Sequence, residues 1–265
     1  MLLPRLPLAL ESPVLIRVDG RDLVVLFCTP LALDDLAVGH LVGRGLLPSR
    51  DSLRSIFICD DRGRVDIERV DAPPLPSGGV AIIASSCGAG AIPGEIFGLV
   101  APPDAPDRGE GLFSIADLAE RAKEMFSGAS MHRVTGGMHC AALAQSALAQ
   151  SALSQSAGAQ SALAQSVGAP PIILREDVGR HNAVDKVIGR AFLDGIDLSQ
   201  AAIITSGRIA ADMVAKAIHA GIPLLVSRSV PTTSAFELAR AFGIALVGRV
   251  LSAAPLVYCG DRLIQ

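Results

Sequence analysis

Of the five cysteines in this 265-residue chain, Cys87 stands in the setting best suited to chemistry. It lies in Ser85-Ser86-Cys87-Gly88-Ala89-Gly90, where small neighbours leave the sulfur uncrowded and glycine permits unusual dihedrals. A thiol presented this way can reach solvent or another protein's active site. Nearby arginines would favour the thiolate, which is the nucleophile. Cys28, Cys59, Cys140 and Cys259 form no CxxC or CxxH spacing and read as small buried apolar residues, with Cys28 and Cys59 in strand-like runs.

A second group of residues suits anions. The turns Glu176–Asn182, Ser206-Gly207-Arg208 and Arg228–Thr233 each follow a strand-like run and precede a helical one. Backbone amides at a helix start, the positive end of its dipole and a fork-shaped guanidinium together favour phosphate. The candidates are Asp177, Arg180, Ser206, Gly207 and Arg208. His139, after Thr135-Gly136-Gly137-Met138, and His181, between Arg180 and Asn182, both adjoin glycine-containing turns. Lys186 follows on the same helix. His181 and Asp185 are spaced i, i+4, a pairing that can serve the helix alone.

The elements that position these groups are legible in outline. VLIRV and LVVLF flank Asp19-Gly20, a two-residue hairpin signal. A helix is expected from near Leu33, and 52–59 with 64–70 reads as a second hairpin. Val80–Ala84 reads as a short strand leading into the Cys87 loop. Ser114 and Asp117 mark the start of a helix running to about Phe126. From Pro171 onward, strands (171–175, 201–205, 223–227, 244–247) alternate with helices (183–193, 209–220, 233–242), which argues a parallel sheet whose carboxyl edge holds the ligand. Between the halves, 142–166 holds five near-copies of ALAQS. A five-residue period builds no apolar face on a helix, so this stretch is expected to be an inserted, mobile or partly helical loop without function. The expected division is 1–78, a β-hairpin and helix portion packed on the rest, and 79–265, an α/β domain.

Half of the residues are hydrophobic, 18% are charged, and the net charge is −3. That composition supports a sizeable core and provides no basic footprint for nucleic acid or anionic lipid. The opening MLLPRLPLALE is broken too early by Arg5, two prolines and Glu11 for a signal peptide. No run resembles a membrane span. A reduced, soluble, cytoplasmic protein is expected.

At these motifs the chain resembles a known family. EDVGRHNAVDKVIGR (176–190), with ESPVLIRVDG, TGGMHCAAL, SGRIAADMVAKAIHAGIPLLVS, TTSAFELA and GIALVG in order, is similar to the FdhD family of formate dehydrogenase accessory sulfur carriers. The resemblance implies a cytidine deaminase-like core sheet with helices on both faces, and a homodimer. It implies that sulfur is taken from a cysteine desulfurase as a persulfide on Cys87 and passed to molybdenum cofactor, in its bis-guanine-dinucleotide form, for apo-formate dehydrogenase. A guanine nucleotide would then be a surrogate ligand, and His139, Asp177, Arg180, His181, Lys186, Ser206, Gly207, Arg208 and Arg249 would belong to the cofactor site. The alternative is a cofactor-binding chaperone without sulfur transfer. The family's loop carries a second cysteine in a CGxC pattern, where this chain has Gly90; Cys140, beside His139, is the candidate substitute thiol. Arg249 and Tyr258 are kept, but the stretch between them reads VLSAAPLV in place of a basic, glycine-containing one. No HxE, CxE or PCxxC is present, so zinc-dependent deamination is not expected.

Overall fold

The computed structural model describes residues 8–59, 63–83, 99, 110–146 and 172–265. Strands β1 (Ser12–Val18) and β2 (Arg21–Cys28) form the expected hairpin, with Asp19 and Gly20 both at positive φ. Helix α1 (Leu33–Val42) follows, then the hairpin of β3 (Leu53–Cys59) and β4 (Arg64–Arg69), then β5 (Ala81–Ile83). These strands make a mixed sheet in the order β3-β4-β1-β2-β5, with β5 parallel to β2. Alternate residues of β1 and β2 (Val14, Ile16 and Val18; Val24, Leu26 and Cys28) are buried, as expected of strands that face a core on one side.

The second half contributes α2 (Ile115–Gly128), capped by Ser114, whose Oγ accepts from the Asp117 amide at 3.0 Å. Short α3 (Ser130–Thr135) leads into β6 (His139–Gln145). After it come β7 (Ile173–Asp177), α4 (Arg180–Asp194), β8 (Ala201–Thr205), α5 (Ala211–Ala220), β9 (Leu224–Ser227), α6 (Thr233–Ala241), β10 (Ala245–Gly248) and β11 (Leu256–Cys259). They form a six-stranded sheet in the order β11-β10-β9-β8-β6-β7.

That sheet is mixed and not all parallel: β8, β9 and β10 are parallel, β6 runs antiparallel to both β7 and β8, and β11 runs antiparallel to β10. The sequence expectation failed on β6, because Ala142–Gln145 had been assigned to the inserted loop. These residues are instead a core strand. Ala141 and Leu143 face one hydrophobic cluster, while Cys140, Ala142 and Ala144 face another. Residues 147–166 of the pentapeptide array lie outside the described residues.

Helices cover both faces of the six-stranded sheet. α4, α5 and α6 lie on the face turned toward the five-stranded sheet, and α2 packs on the other. One continuous core joins the two sheets through α1 and α4, the most extensively packed pair of helices in the fold. Their approach is set by two glycines. A Cβ at Gly39 would lie 1.7 Å from the Asp185 carbonyl oxygen, and one at Gly189 would lie 1.9 Å from the Asp35 carbonyl oxygen. The backbones are therefore in direct contact, and only glycine fits at either position. No helix among the described residues is long and apolar enough to cross a membrane.

Candidate functional site

β7, β8, β9 and β10 all point the same way, so their carboxyl ends share one edge, which the start of antiparallel β6 joins. The register aligns Asp177 with His139, Ala141 with Thr205 and Thr205 with Ser227. Most of the residues singled out from sequence meet on this edge, because loops beyond parallel strand ends converge there.

Its foundation is Asp177, which is 0% exposed. The carboxylate accepts from the amides of Thr29 (3.1 Å) and Gly179 (2.8 Å) and from Asn182 Nδ2 (3.0 Å), and it pairs with Lys186 Nζ at 2.7 Å. Lys186 also donates to the Thr29 carbonyl at 2.8 Å. A buried carboxylate with this many donors is fully satisfied. Asp177 and Lys186 therefore bind the end of β2 to the β7–α4 turn and have no polar atom left for a ligand. The sequence had grouped both with the ligand contacts; burial makes them positioning residues. β7 also runs two residues further than expected, so the turn begins at Val178.

Above this floor, His139 Nδ1 lies 3.2 Å from Ser206 Oγ, which accepts the Cys140 amide at 3.1 Å. The Ser206 hydroxyl therefore links His139 Nδ1 to the start of β6. Burial, then the Arg180 charge, lowers the His139 pKa. Ser206 does not cap a helix, since α5 begins only at Ala211.

His181 is 7% exposed and is pushed down to about 3 by burial and by the Lys216 and Arg180 charges. Its Nδ1 is 3.1 Å from Asp212 Oδ2 but not aligned for a hydrogen bond, so both ring nitrogens are buried without a bonded partner. The expected i, i+4 partner, Asp185, is committed elsewhere, to Lys216 and to His40 Nδ1 at 3.4 Å. Arg180 Nε is likewise buried and unbonded. The Arg180 stem lies across Gly207, where an added Cβ would come 2.9 Å from Arg180 Cδ.

Each of the four codirectional strands is followed closely by an arginine: Arg180 after β7, Arg208 after β8, Arg228 after β9 and Arg249 after β10. Arg208, Arg228 and Arg249 are exposed, and none of the four is in an ion pair among the described residues. Arg228, which opens the third of the anion-suited turns read from the sequence, joins the individual candidates here. Its guanidinium stacks 5.1 Å above the Phe126 ring, a contact that no local pattern signals. The loops are clamped by buried Ser227, whose Oγ donates to the Gly207 carbonyl at 2.6 Å and accepts the Ser229 amide at 2.8 Å. Arg249, at φ +54, follows with its amide bonded to the Ser229 carbonyl. The N-cap residues of α4 and α5 make no side-chain cap bond, although Asp212 Oδ1 takes the Met213 amide at 3.0 Å in the first turn of α5, whereas Thr232 caps α6. The edge therefore offers several cations and orphaned buried nitrogens, a combination suited to an anion with several phosphates.

The thiols divide differently from the expectation. Cys140 is 0% exposed and burial pushes its pKa up to about 11, which removes it as a substitute carrier. Cys28 is core, pushed up to about 12. Cys59, expected in the core, is only half-buried, because β3 is an edge strand. Cys87 lies outside the described residues. No group of acids, histidines and cysteines able to hold a metal occurs among the described residues.

Comparison with known proteins agrees with this architecture. A chain titled a formate dehydrogenase accessory protein from Desulfotalea psychrophila superposes with a TM-score of 0.69 over 97% of this chain and 90% of its own, at 23% identity. A sulfur carrier protein FdhD of Methanothermobacter thermautotrophicus is 32% identical over 91% of this chain and 84% of that protein. One from Listeria monocytogenes is 32% identical over 95% and 89%. The FdhD/NarQ family model matches residues 9–151 and 145–265. With the whole ordered series of motifs and the two-sheet fold in agreement, the chain belongs to the FdhD/NarQ family.

Proposed function

We propose that this protein carries sulfur as a persulfide on Cys87 and delivers it to a molybdenum cofactor bound along the arginine-lined edge, for a formate dehydrogenase. The observation that carries the reading is the row of four guanidiniums after β7, β8, β9 and β10, none in an ion pair among the described residues. It supplies charge for a ligand whose two dinucleotide arms bring several phosphates, and planar forks suit phosphate oxygens. The names of the relatives support the sulfur-carrying part of the reading. The reading takes the protein to act in the cytoplasm as a homodimer.

In the first step the Cys87 thiolate attacks the terminal sulfur of a desulfurase persulfide. The new S–S bond forms on Cys87, the donor S–S bond breaks, and the desulfurase cysteine leaves as thiolate. β5 ends at Ile83 in register with Leu26, three residues short of Thr29. Three residues separate Ile83 from Cys87, and the four steps between them reach at most about 14 Å. On the edge itself, Arg180, Arg208, Arg228 and Arg249 bind phosphate. His139 and His181, both held neutral, accept or donate hydrogen bonds without adding charge.

Incubation with a cysteine desulfurase and cysteine adds one sulfur mass to the Cys87 peptide, and Cys87→Ala abolishes activation of formate dehydrogenase while guanine-nucleotide binding persists. Label on another cysteine, with activation intact in Cys87→Ala, overturns the carrier role. One observation favours the chaperone reading, namely that the loop Cys87-Gly88-Ala89-Gly90 holds a single thiol. Full activation by Cys87→Ser with retained nucleotide binding would establish it.

A further inference from the structure

A cavity of about 210 Å³ opens between the start of β2, the end of α1 and the 75–81 segment, and none of its lining residues belongs to the arginine-lined edge. Its polar wall is made of Arg21, Asp22, His40 and Arg44, and its apolar wall includes Val24, Leu46 and Leu75. Asp22 is taken by Arg17 at 2.7 Å. His40 Nδ1 is turned to Asp185. Arg21 and Arg44 take part in no ion pair among the described residues, and Arg44 Nε is buried without a hydrogen-bond partner. Among the described residues Arg21 has a single long bond, 3.4 Å to the Pro76 carbonyl. A buried unbonded guanidinium nitrogen is costly, and the residue that carries it lines this space together with Arg21.

We propose that this cavity binds a small organic oxyanion, a carboxylate or phosphate on a compact apolar body, through Arg44 and Arg21. Size sets the class. Sites for drug-sized ligands and cofactors start at roughly 300 Å³, so a dinucleotide does not fit. A cavity of about 150 Å³ already admits benzene, so a ring-sized body with one anionic group does fit. The guanidinium fork grips the anion, and Val24, Leu46 and Leu75 cover the body. Neutral His40, pushed down to about 4 by burial and by the Arg44 charge, adds no competing cation. The inference stands apart from sulfur transfer and needs no part of it.

Calorimetric titration of the full chain with benzoate, acetate and inorganic phosphate tests it. Saturable binding is expected, with benzoate tighter than acetate if the apolar wall contributes and phosphate tightest if charge alone governs. Arg44→Gln weakens it about tenfold or more, the loss typical of a charge-assisted bond. Arg21→Ala, a change at an exposed side chain, weakens it too and serves if the Arg44 variant fails to fold. Arg180→Ala leaves it intact. No saturable binding of any of the three probes overturns the proposal, and so does binding that survives Arg44→Gln and Arg21→Ala but vanishes in Arg180→Ala.

Discussion

Replacing Gly189 by alanine sets helix propensity against tertiary packing, and the two predict opposite signs. Gly189 lies inside α4, where alanine is worth about 1 kcal/mol over glycine in an isolated helix. In the fold, the new Cβ would stand 1.9 Å from the Asp35 carbonyl oxygen and 2.8 Å from the Gly39 amide nitrogen. Ordinary contact begins near 3.4 Å, so α1 and α4 must part by about 1.5 Å (3.4 less 1.9). The neighbours are backbone atoms and cannot rotate away. Overpacking alone costs about 1–3 kcal/mol, occasionally more. Parting the helices also stretches the Asp35–Arg175 pair at 2.7 Å and the His40–Asp185 contact. The net expectation is a loss of about 3 kcal/mol or more after the propensity gain. Urea unfolding followed by circular dichroism measures it. The same change at Gly39 should act alike, and the double variant should cost less than the sum, since helices already parted meet no second clash. An unchanged or raised midpoint in Gly189→Ala would refute the direct backbone contact.

Other outcomes follow from the same geometry. Asp177→Asn should lose about 3–5 kcal/mol by leaving Lys186 buried without its counter-charge, and Asp177→Asn with Lys186→Met should recover part of this in the same denaturant assay. Gly207→Val should displace Arg180 and weaken guanine-nucleotide binding in titrations at fixed salt, with little change in unfolding midpoint. In the folded protein Cys140 should resist alkylation at neutral pH while half-buried Cys59 reacts, as peptide mapping would show. His181 and His40, at about 3 and about 4 in the fold, lie below the usual histidine value of 6.5. The unfolded chain therefore binds their protons first. Stability should be highest above pH 6.5 and fall as pH drops toward about 4, by about 1.4 kcal/mol per pH unit for each proton taken up; His40→Asn should flatten the slope.

Much of the site was readable in the chain because its signals are local. Gly179-Arg180-His181 and Ser206-Gly207-Arg208 each carry their turn chemistry within a few residues, and the strands they follow are legible as β-branched runs, although β7 ends two residues later than its run suggests. Arg228 was harder to find, since its stacking partner Phe126 comes from a helix on the far face of the sheet. The roles of Asp177 and Lys186 depend on the same kind of long-range contact. Two charged residues near a glycine turn resemble ligand contacts until Thr29, from the other sheet, is seen to fill their remaining hydrogen bonds.

Sequence by itself determined most of the elements, the family and the chemical character of the strand-end turns, because periodicity, capping and turn residues act over a few positions. Tertiary structure alone decided which helix touches which through Gly39 and Gly189, and which charges are spent inside the core. It also decided the fate of ALAQS at 142–146. Its first four residues are a buried strand because β7 and β8 flank them and take up their backbone hydrogen bonds. Nothing within the pentapeptide distinguishes that copy from the one that follows it; the partners lie from about 30 to 60 residues away in the chain and act only once the sheet has assembled.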